Sequence, residues 1–148
     1  LHSTSRRQRQ MCIRDSTFTD PDEAEYFVKQ TGIRSLAVAI GTAHGQYKGE
    51  PKLDFDRLTE IKKRVNIPIV LHGSSGVPDD ALREAIQRGV RKINIDTNLR
   101  EAFTDGVREV LAEKPNEIDP RKILGPAREK MAERVAEKIR IFGSNGKA

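Results

Sequence analysis

Two of the three histidines in this 148-residue chain stand in the same local setting. His44 and His72 each follow an apolar segment, and each is followed by a glycine. Neutral imidazole is a common protein ligand of zinc, and histidines at the ends of adjacent strands can converge on one ion. A histidine at a strand end is also often a hydrogen-bonded structural residue. The pair therefore indicates a metal site and leaves the structural interpretation open.

Glycines and a serine beside these histidines indicate a second kind of chemistry. Gly45, Gly73 and Gly76 let the backbone approach a ligand closely, and Ser75 adds a hydroxyl beside backbone N–H groups. Such a nest suits a phosphate group, although two ordinary tight turns would also use these residues. Lys48 is a candidate for the same anion, with a solvent-exposed lysine as the alternative.

A third polar cluster follows the next apolar segment. Asn94, Asp96 and Thr97 supply hydrogen-bond donors and acceptors at the predicted end of a strand. Asp96 or Thr97 would also serve as the cap of the helix that follows. Capping and ligand binding are compatible, so both interpretations stand.

The elements that would position these residues alternate along the chain from Thr17. Apolar segments without polar alternation predict buried parallel strands at residues 35–40, 67–72 and 91–96. Amphipathic segments with capping residues predict helices at residues 19–32, 54–65, 78–89, 97–114 and 119–143. In the first of these helices, Ala24, Phe27 and Val28 are predicted to be buried.

The polar residues all follow strands, and this asymmetry is typical of a (β/α)8 barrel. The active site of such a barrel is built from the carboxyl ends of its strands. No Gly-x-Gly-x-x-Gly motif follows a strand, which disfavours a dinucleotide-binding sheet. The sequence thus predicts an α/β fold of the barrel type, with three of the eight strands.

The positive charge of the chain is concentrated at one end. The net charge is +5, and residues 1–16 contain four arginines and one aspartate, so the rest of the chain is nearly balanced. There is no tryptophan, and no aromatic residues are interleaved with the basic ones, so nucleic-acid binding is not expected. No apolar run approaches the ~20 residues of a membrane span, and no membrane association is expected.

Residues 1–16 differ in character from the remainder. They could form a nucleic-acid arm or a transit peptide, but they show no amphipathic period and no apolar core. We expect a non-native or disordered leader at residues 1–16 and a folded part at residues 17–148. The single cysteine, Cys12, excludes an internal disulfide and fits a reducing compartment.

Three longer stretches carry a family resemblance: GTAHGQYKGEPKLDFDRL, IPIVLHGSSGVPDDALREAIQRGVRKINIDTNLREAF and the closing NEIDPRKILGPAREKM…IFGSNGKA. They closely resemble class II, zinc-dependent fructose-bisphosphate and tagatose-bisphosphate aldolases. The resemblance runs from about Thr19 to Ala148. It implies that the chain is the C-terminal part of a (β/α)8 barrel, with about the last three βα units and the C-terminal helices.

The resemblance also implies roles for individual residues. Zinc would be bound by His44 and His72, and Asn94 and Asp96 would be catalytic, orienting the reacting oxygens. The residues implied to bind the dihydroxyacetone-phosphate moiety are Gly45, Lys48, Gly73, Ser74, Ser75, Asn94, Ile95, Asp96 and Thr97. The implied reaction is the cleavage of fructose 1,6-bisphosphate to dihydroxyacetone phosphate and glyceraldehyde 3-phosphate.

Further implications concern the surroundings of the reaction. The family resemblance implies a sugar bisphosphate as the small-molecule partner, a homo-oligomer (dimer or tetramer) and a cytoplasmic location. It also allows a monovalent cation near the phosphate. Tagatose bisphosphate is the alternative substrate.

The chain departs from the family pattern in one respect. The family takes a third zinc histidine, a catalytic aspartate and a proton-shuttling glutamate from a preceding segment, and the only earlier histidine is His2. We therefore expect a fragment that is inactive alone, with the outer edge of the strand at residues 35–40 unpaired. The alternatives are a non-catalytic half-barrel that binds a sugar phosphate or a partner, and another zinc-dependent phosphosugar barrel.

Overall fold

The computed structural model describes residues 18–43, 49 and 51–147, which contain eight elements. The elements in chain order are helix α1 (Pro21–Thr31), strand β1 (Leu36–Ala37), helix α2 (Phe55–Arg64), strand β2 (Ile69–Leu71), helix α3 (Asp79–Gln87), strand β3 (Val90–Ile93), helix α4 (Thr97–Glu113) and helix α5 (Pro120–Ile141). The described residues form two compact units, the first ending at Asn94 and the second beginning at Ile95. No helix in the described ranges is both long and apolar enough to cross a membrane.

Carboxylate caps set the beginnings of three helices, as the sequence predicts. The Asp20 carboxylate accepts hydrogen bonds from the N–H groups of Asp22 (2.8 Å) and Glu23 (3.1 Å), with Pro21 in the first turn. Asp54 and Asp119 cap α2 and α5 in the same way. Gly32 ends α1 with a φ of 63°, a left-handed conformation that glycine adopts without strain.

The three strands form one parallel sheet in the order β1-β2-β3. This arrangement, with a helix after each strand, confirms the predicted α/β class. The strands are shorter than predicted because the β1–β2 ladder ends at Ala37 and Val70, where the next hydrogen bond, from the Val38 N–H to the Val70 carbonyl, is a long 3.4 Å. The predicted apolar segment nevertheless stays in the core beyond the end of β1, where Ile40 is fully buried.

The core of the first unit lies between this sheet and the helices α2 and α3. Its fully buried side chains include those of Leu58 and Ile61 from α2, Leu71 from β2 and Leu82 from α3. Burying a side chain of this size stabilises the fold by roughly 1.5–3 kcal/mol. The stripe predicted for α1 is partly wrong: Ala24 is buried, but Phe27 is half exposed.

The outer edge of the sheet at β1 is bonded within the chain. The N–H of Thr19 donates to the Ala39 carbonyl (2.8 Å), and the N–H of Ala39 donates to the Thr19 hydroxyl (2.8 Å). Both backbone groups of Ala39 therefore have partners. The expectation that this edge is unpaired is wrong at Ala39.

The Thr19 hydroxyl should contribute measurably to stability. Thr19→Val keeps the size of the side chain but leaves the half-buried Ala39 N–H without its acceptor, so we expect the free energy of unfolding to fall by about 1–2 kcal/mol. Thr19→Ser keeps the acceptor and should lose less than about 0.5 kcal/mol. Urea unfolding followed by circular dichroism measures both. Equal losses in the two variants would contradict the assignment.

The second unit consists of α4 packed on α5. Gly106 of α4 lies against the buried Ala127 of α5, and a Cβ atom at position 106 would be 2.6 Å from the Ala127 Cα. A salt bridge between Glu109 and Lys130 joins the same two helices. The close backbone approach requires glycine at position 106, although glycine is a poor helix former.

Gly106→Ala tests this contact. In an exposed helix the change would stabilise by about 1 kcal/mol, but here the overpacking should lower the free energy of unfolding by about 1–3 kcal/mol. Thr104→Ala, at an exposed position of the same helix, is the control and should raise it by about 0.5 kcal/mol. Denaturant unfolding at 222 nm compares them, and stabilisation by Gly106→Ala would exclude close helix packing at this point.

Candidate functional site

The predicted site residues divide between the two units and the part of the chain outside the described residues. His72, Gly73, Ser74, Ser75 and Asn94 belong to the first unit. Ile95, Asp96 and Thr97 begin the second unit. The predictions for His44, Gly45 and Lys48 lie outside the described residues.

The structure brings two of the predicted residues together at the carboxyl ends of β2 and β3. The side-chain amide nitrogen of Asn94 lies 2.9 Å from Nδ1 and 3.1 Å from Nε2 of His72. The backbone N–H of Asn94 donates to the carbonyl of Leu71 (3.0 Å), which holds Asn94 beside the end of β2. An amide N–H can donate only to an unprotonated ring nitrogen, and such a nitrogen is also the form that binds metals.

The turn after His72 is shaped by Gly73 and Ser74. Gly73 has a φ of 64°, which favours glycine, as predicted for a backbone that turns sharply after the strand. The Ser74 side chain is buried, and its hydroxyl donates a long hydrogen bond (3.4 Å) to the His72 carbonyl. Ser74 thus supports the turn that carries His72, and its contact with substrate stays a prediction.

Asp96 is placed at the beginning of α4. Its backbone carbonyl accepts from the N–H groups of Leu99 (2.9 Å) and Arg100 (3.1 Å). The carboxylate of Asp96 pairs with the Arg100 guanidinium at 2.8 Å, and both side chains are exposed. Exposed pairs of this kind contribute little to stability. Asp96 therefore begins the helix through its backbone, and its catalytic role stays a prediction.

A backbone closure joins the two ends of the segment that contains His44. The N–H of Asp54 donates to the Ile40 carbonyl (2.8 Å), although thirteen residues separate them. Gly41 has a φ of 108°, and a Cβ atom there would lie 2.3 Å from the Lys52 carbonyl oxygen. Only glycine allows this approach, and the sequence analysis did not single out Gly41.

Arg57 connects this closure to Phe18 and Thr19, the residues just before α1. Its backbone N–H donates to the Asp54 carboxylate (2.9 Å), and its Nε donates to the same carboxylate (3.0 Å). Its Nη1 donates to the Thr19 carbonyl (3.1 Å), and the guanidinium lies over the Phe18 ring, 5.3 Å from the centroid. The sequence signal was the Asp-x-x-Arg spacing at a predicted helix start, which was interpreted as a cap alone.

Of the two predicted zinc ligands, only His72 lies among the described residues. No group of three or more histidine, cysteine, aspartate or glutamate residues within the described ranges could hold a metal ion. His72 fits a metal chemically, because a neutral imidazole offers one unprotonated ring nitrogen as a ligand; Asn94 contacts both ring nitrogens, so its amide and an ion would compete for that one. The second predicted donor, His44, lies outside these ranges.

Comparison with known proteins identifies the family. The sequence model of the family "Fructose-bisphosphate aldolase class-II" matches residues 3–147. This chain belongs to the class II fructose-bisphosphate aldolase family. Among its relatives, it is 50% identical to a fructose-bisphosphate aldolase of Geobacillus stearothermophilus over 131 residues, covering 88% of this chain and 46% of the relative. It is 48% identical to a sulfofructosephosphate aldolase of Alkalicoccus urumqiensis, covering 91% and 47%.

Solved aldolase structures share the fold. The YdjI aldolase of Escherichia coli K12 matches with a TM-score of 0.80 at 43% identity, over 88% of this chain and 48% of that one. The fructose-bisphosphate aldolase of Campylobacter jejuni matches with a TM-score of 0.70 at 27% identity, over 86% and 46%. The aldolase chain thus spans about half the length of the relatives it matches, which is consistent with a partial (β/α)8 barrel.

The closure at Asp54 should weaken in acid. The Arg57 backbone N–H, and then the Arg57 guanidinium, lower the pKa of Asp54 from its ordinary 3.8. A lowered folded-state pKa stabilises the fold above the unfolded-state pKa, and that contribution disappears as the pH falls through the folded value. Asp54→Asn, which still caps, should therefore lower the free energy of unfolding by about 0.5–1 kcal/mol at pH 6 and by almost nothing near pH 2.5.

Asp56→Asn provides the matched control for this measurement. Asp56 is fully exposed in the first turn of the same helix and pairs with Arg88 only at 3.8 Å, so the same change of charge should cost less than Asp54→Asn at pH 6. Urea unfolding of both variants and the parent chain at pH 6, 4 and 2.5 gives the comparison. A deficit of Asp54→Asn that persists unchanged at pH 2.5 would exclude the carboxylate as its source.

Proposed function

We propose that this aldolase chain is the C-terminal half of a zinc-dependent enzyme that cleaves fructose 1,6-bisphosphate to dihydroxyacetone phosphate and glyceraldehyde 3-phosphate. The observation that carries the proposal is the contact between His72 and Asn94 in a chain of this family. This contact between an imidazole and an amide lies at the carboxyl edge of a parallel sheet, where barrel enzymes bind their substrates.

The residues would divide the work according to their chemistry. His72 and His44 would hold the zinc ion, which supplies Lewis-acid stabilisation of negative charge on the substrate oxygens when bound. Asn94, fixed by its backbone bond to the Leu71 carbonyl, would orient a substrate oxygen through its amide. Asp96 would orient the neighbouring hydroxyl, in exchange for its exposed pairing with Arg100.

Phosphate binding is assigned to backbone and small side chains. Gly73, in its left-handed conformation, begins a tight turn whose N–H groups suit an anion, and Ser75 adds a hydroxyl. Gly45, Lys48, Ile95 and Thr97 complete the proposed set of substrate-binding residues. Anchoring the phosphate would fix the position of the reacting carbons relative to the ion and to Asn94.

Two substrates deserve comparison with fructose 1,6-bisphosphate. One relative is named a sulfofructosephosphate aldolase, and its identity to this chain, 48%, is almost that of the fructose-bisphosphate aldolase, 50%. Tagatose bisphosphate remains the alternative from the sequence resemblance. The homo-oligomer, the monovalent cation and the cytoplasmic location implied by the family remain predictions.

The experiment joins residues 17–148 to the N-terminal half of the Geobacillus stearothermophilus fructose-bisphosphate aldolase. We expect the chimera to cleave fructose 1,6-bisphosphate, to lose this activity with a chelator and to regain it with Zn²⁺. His44→Ala and His72→Ala should each lower kcat/KM more than about 100-fold, because each removes a metal donor. Asn94→Ala should lower kcat about 100-fold, because it removes an orienting donor.

Arg83→Ala is the control for these variants, since Arg83 is exposed on α3. It should leave both kcat and KM unchanged. Full activity in either histidine variant would remove that residue from the zinc site. An inactive but folded chimera that binds sugar phosphate would favour the non-catalytic alternative. Tagatose bisphosphate and sulfofructose phosphate, assayed in parallel, decide the substrate.

A further inference from the structure

The pairing of β2 with β3 changes register within three residues. Ile69 pairs with Val90, but Val70 pairs with Lys92 and Leu71 pairs with Ile93. Arg91 is therefore an extra residue that has no partner position on β2, which makes this a β-bulge in a parallel ladder. Bulges are rare in parallel pairs and are frequent beside active sites, where they redirect side chains.

The extra residue decides which side chain lies opposite His72. After the bulge, the register places Asn94 level with His72, in agreement with the distances of 2.9 and 3.1 Å from the amide to the ring. With the register of Ile69 and Val90 continued, Asn94 would be level with Gly73. Because side chains alternate between the faces of a sheet, Asn94 would then point away from the face that His72 occupies.

The side chain of the extra residue donates to two backbone carbonyls close to the bulge. Nη1 of Arg91 donates to the carbonyl of Ile86 (2.9 Å), in the last turn of α3, and to the carbonyl of Val90 (3.0 Å), directly before the bulge. The Ile86 carbonyl also accepts from the Gly89 N–H (3.2 Å), so Arg91 is its second donor; carbonyls in the last turn of a helix accept readily from cationic side chains. The guanidinium thus ties the end of α3 to the point at which the ladder changes register.

We propose that Arg91 is a positioning residue: its guanidinium stabilises the bulge that places Asn94 against His72. Arg91 itself is exposed on β3, an outer strand of the three-stranded sheet, and the hydrogen bonds of its Nη1 go to backbone carbonyls. The importance of the pair for catalysis rests on the proposed function. The positioning is a property of this chain and is measured on the 148-residue chain as it stands.

The test compares Arg91→Ala, Arg91→Lys and the control Arg83→Ala, which removes the same charge from an exposed position of α3. Two signals report the pair: the nuclear Overhauser effect between the Asn94 side-chain amide protons and His72 Hε1, and the exchange rate of the Asn94 backbone N–H. In Arg91→Ala we expect the Overhauser effect to be lost and exchange to be about tenfold faster. Arg91→Lys, which retains a cationic donor, should stay within about threefold of the parent chain.

Deleting Arg91 distinguishes an effect on the strand register from an effect on the stability of the fold. Without Arg91, a regular ladder pairs Val70 with Lys92, Leu71 with Ile93 and His72 with Asn94, so deletion of Arg91 should retain the Overhauser effect that Arg91→Ala loses. A merely structural role would lower the thermal midpoint in both variants and leave the Asn94 signals of the folded protein unchanged.

Three results would overturn the proposal: a folded Arg91→Ala with parental exchange and Overhauser effect, a folded deletion variant without the Overhauser effect, or an Arg91→Ala that does not fold while Arg83→Ala does. If the deletion variant does not fold, Arg91→Ala decides alone. The proposed function fails separately, if His72→Ala and Asn94→Ala leave the activity of the chimera unchanged.

Discussion

The central strand β2 fixes the register of the sheet in the first unit, because its backbone is hydrogen-bonded to the segments on both sides of it. Its three residues are buried, and its backbone carbonyls accept hydrogen bonds on both sides. The Val70 carbonyl accepts from Val38, which directly follows β1, and the Leu71 carbonyl accepts from Asn94, which directly follows β3. A buried strand that satisfies donors on both sides cannot slip without leaving backbone groups unpaired, which costs free energy. His72 directly follows this strand, so the backbone of β2 sets the position from which its side chain projects.

The helices were largely predictable from sequence, because their ends depend on local chemistry. Asp20, Asp54 and Asp119 each cap a helix at or within one residue of the predicted position, and Gly32 ends α1 as expected. A cap requires a carboxylate two or three residues from the N–H groups that it accepts from, and this is visible in the sequence. Phe27 shows the limit of such inference, because an amphipathic stripe does not specify what covers it.

Strand lengths and the candidate site depended on neighbours in space. The apolar segment at residues 35–40 has the composition of a six-residue strand, yet β1 pairs over two residues, because a ladder lasts only as long as both strands stay aligned. Strand-end positions for His72 and Asn94 were predictable. Their contact was not, since it follows from one unpaired residue in a segment, RKINID, that has no sequence signal for a bulge. The assignments of His44, Gly45 and Lys48 stay predictions.

The bonding of Ala39 to Thr19 has a consequence for how the sheet can grow. Both backbone groups of Ala39 that face away from β2 are already engaged. A further strand that docks along β1 must first displace Thr19, so at this residue it exchanges one pair of hydrogen bonds for another. Addition of a strand at Ala39 is therefore a competition between Thr19 and the added strand. A strand that joins β1 must gain its affinity from contacts elsewhere along this edge.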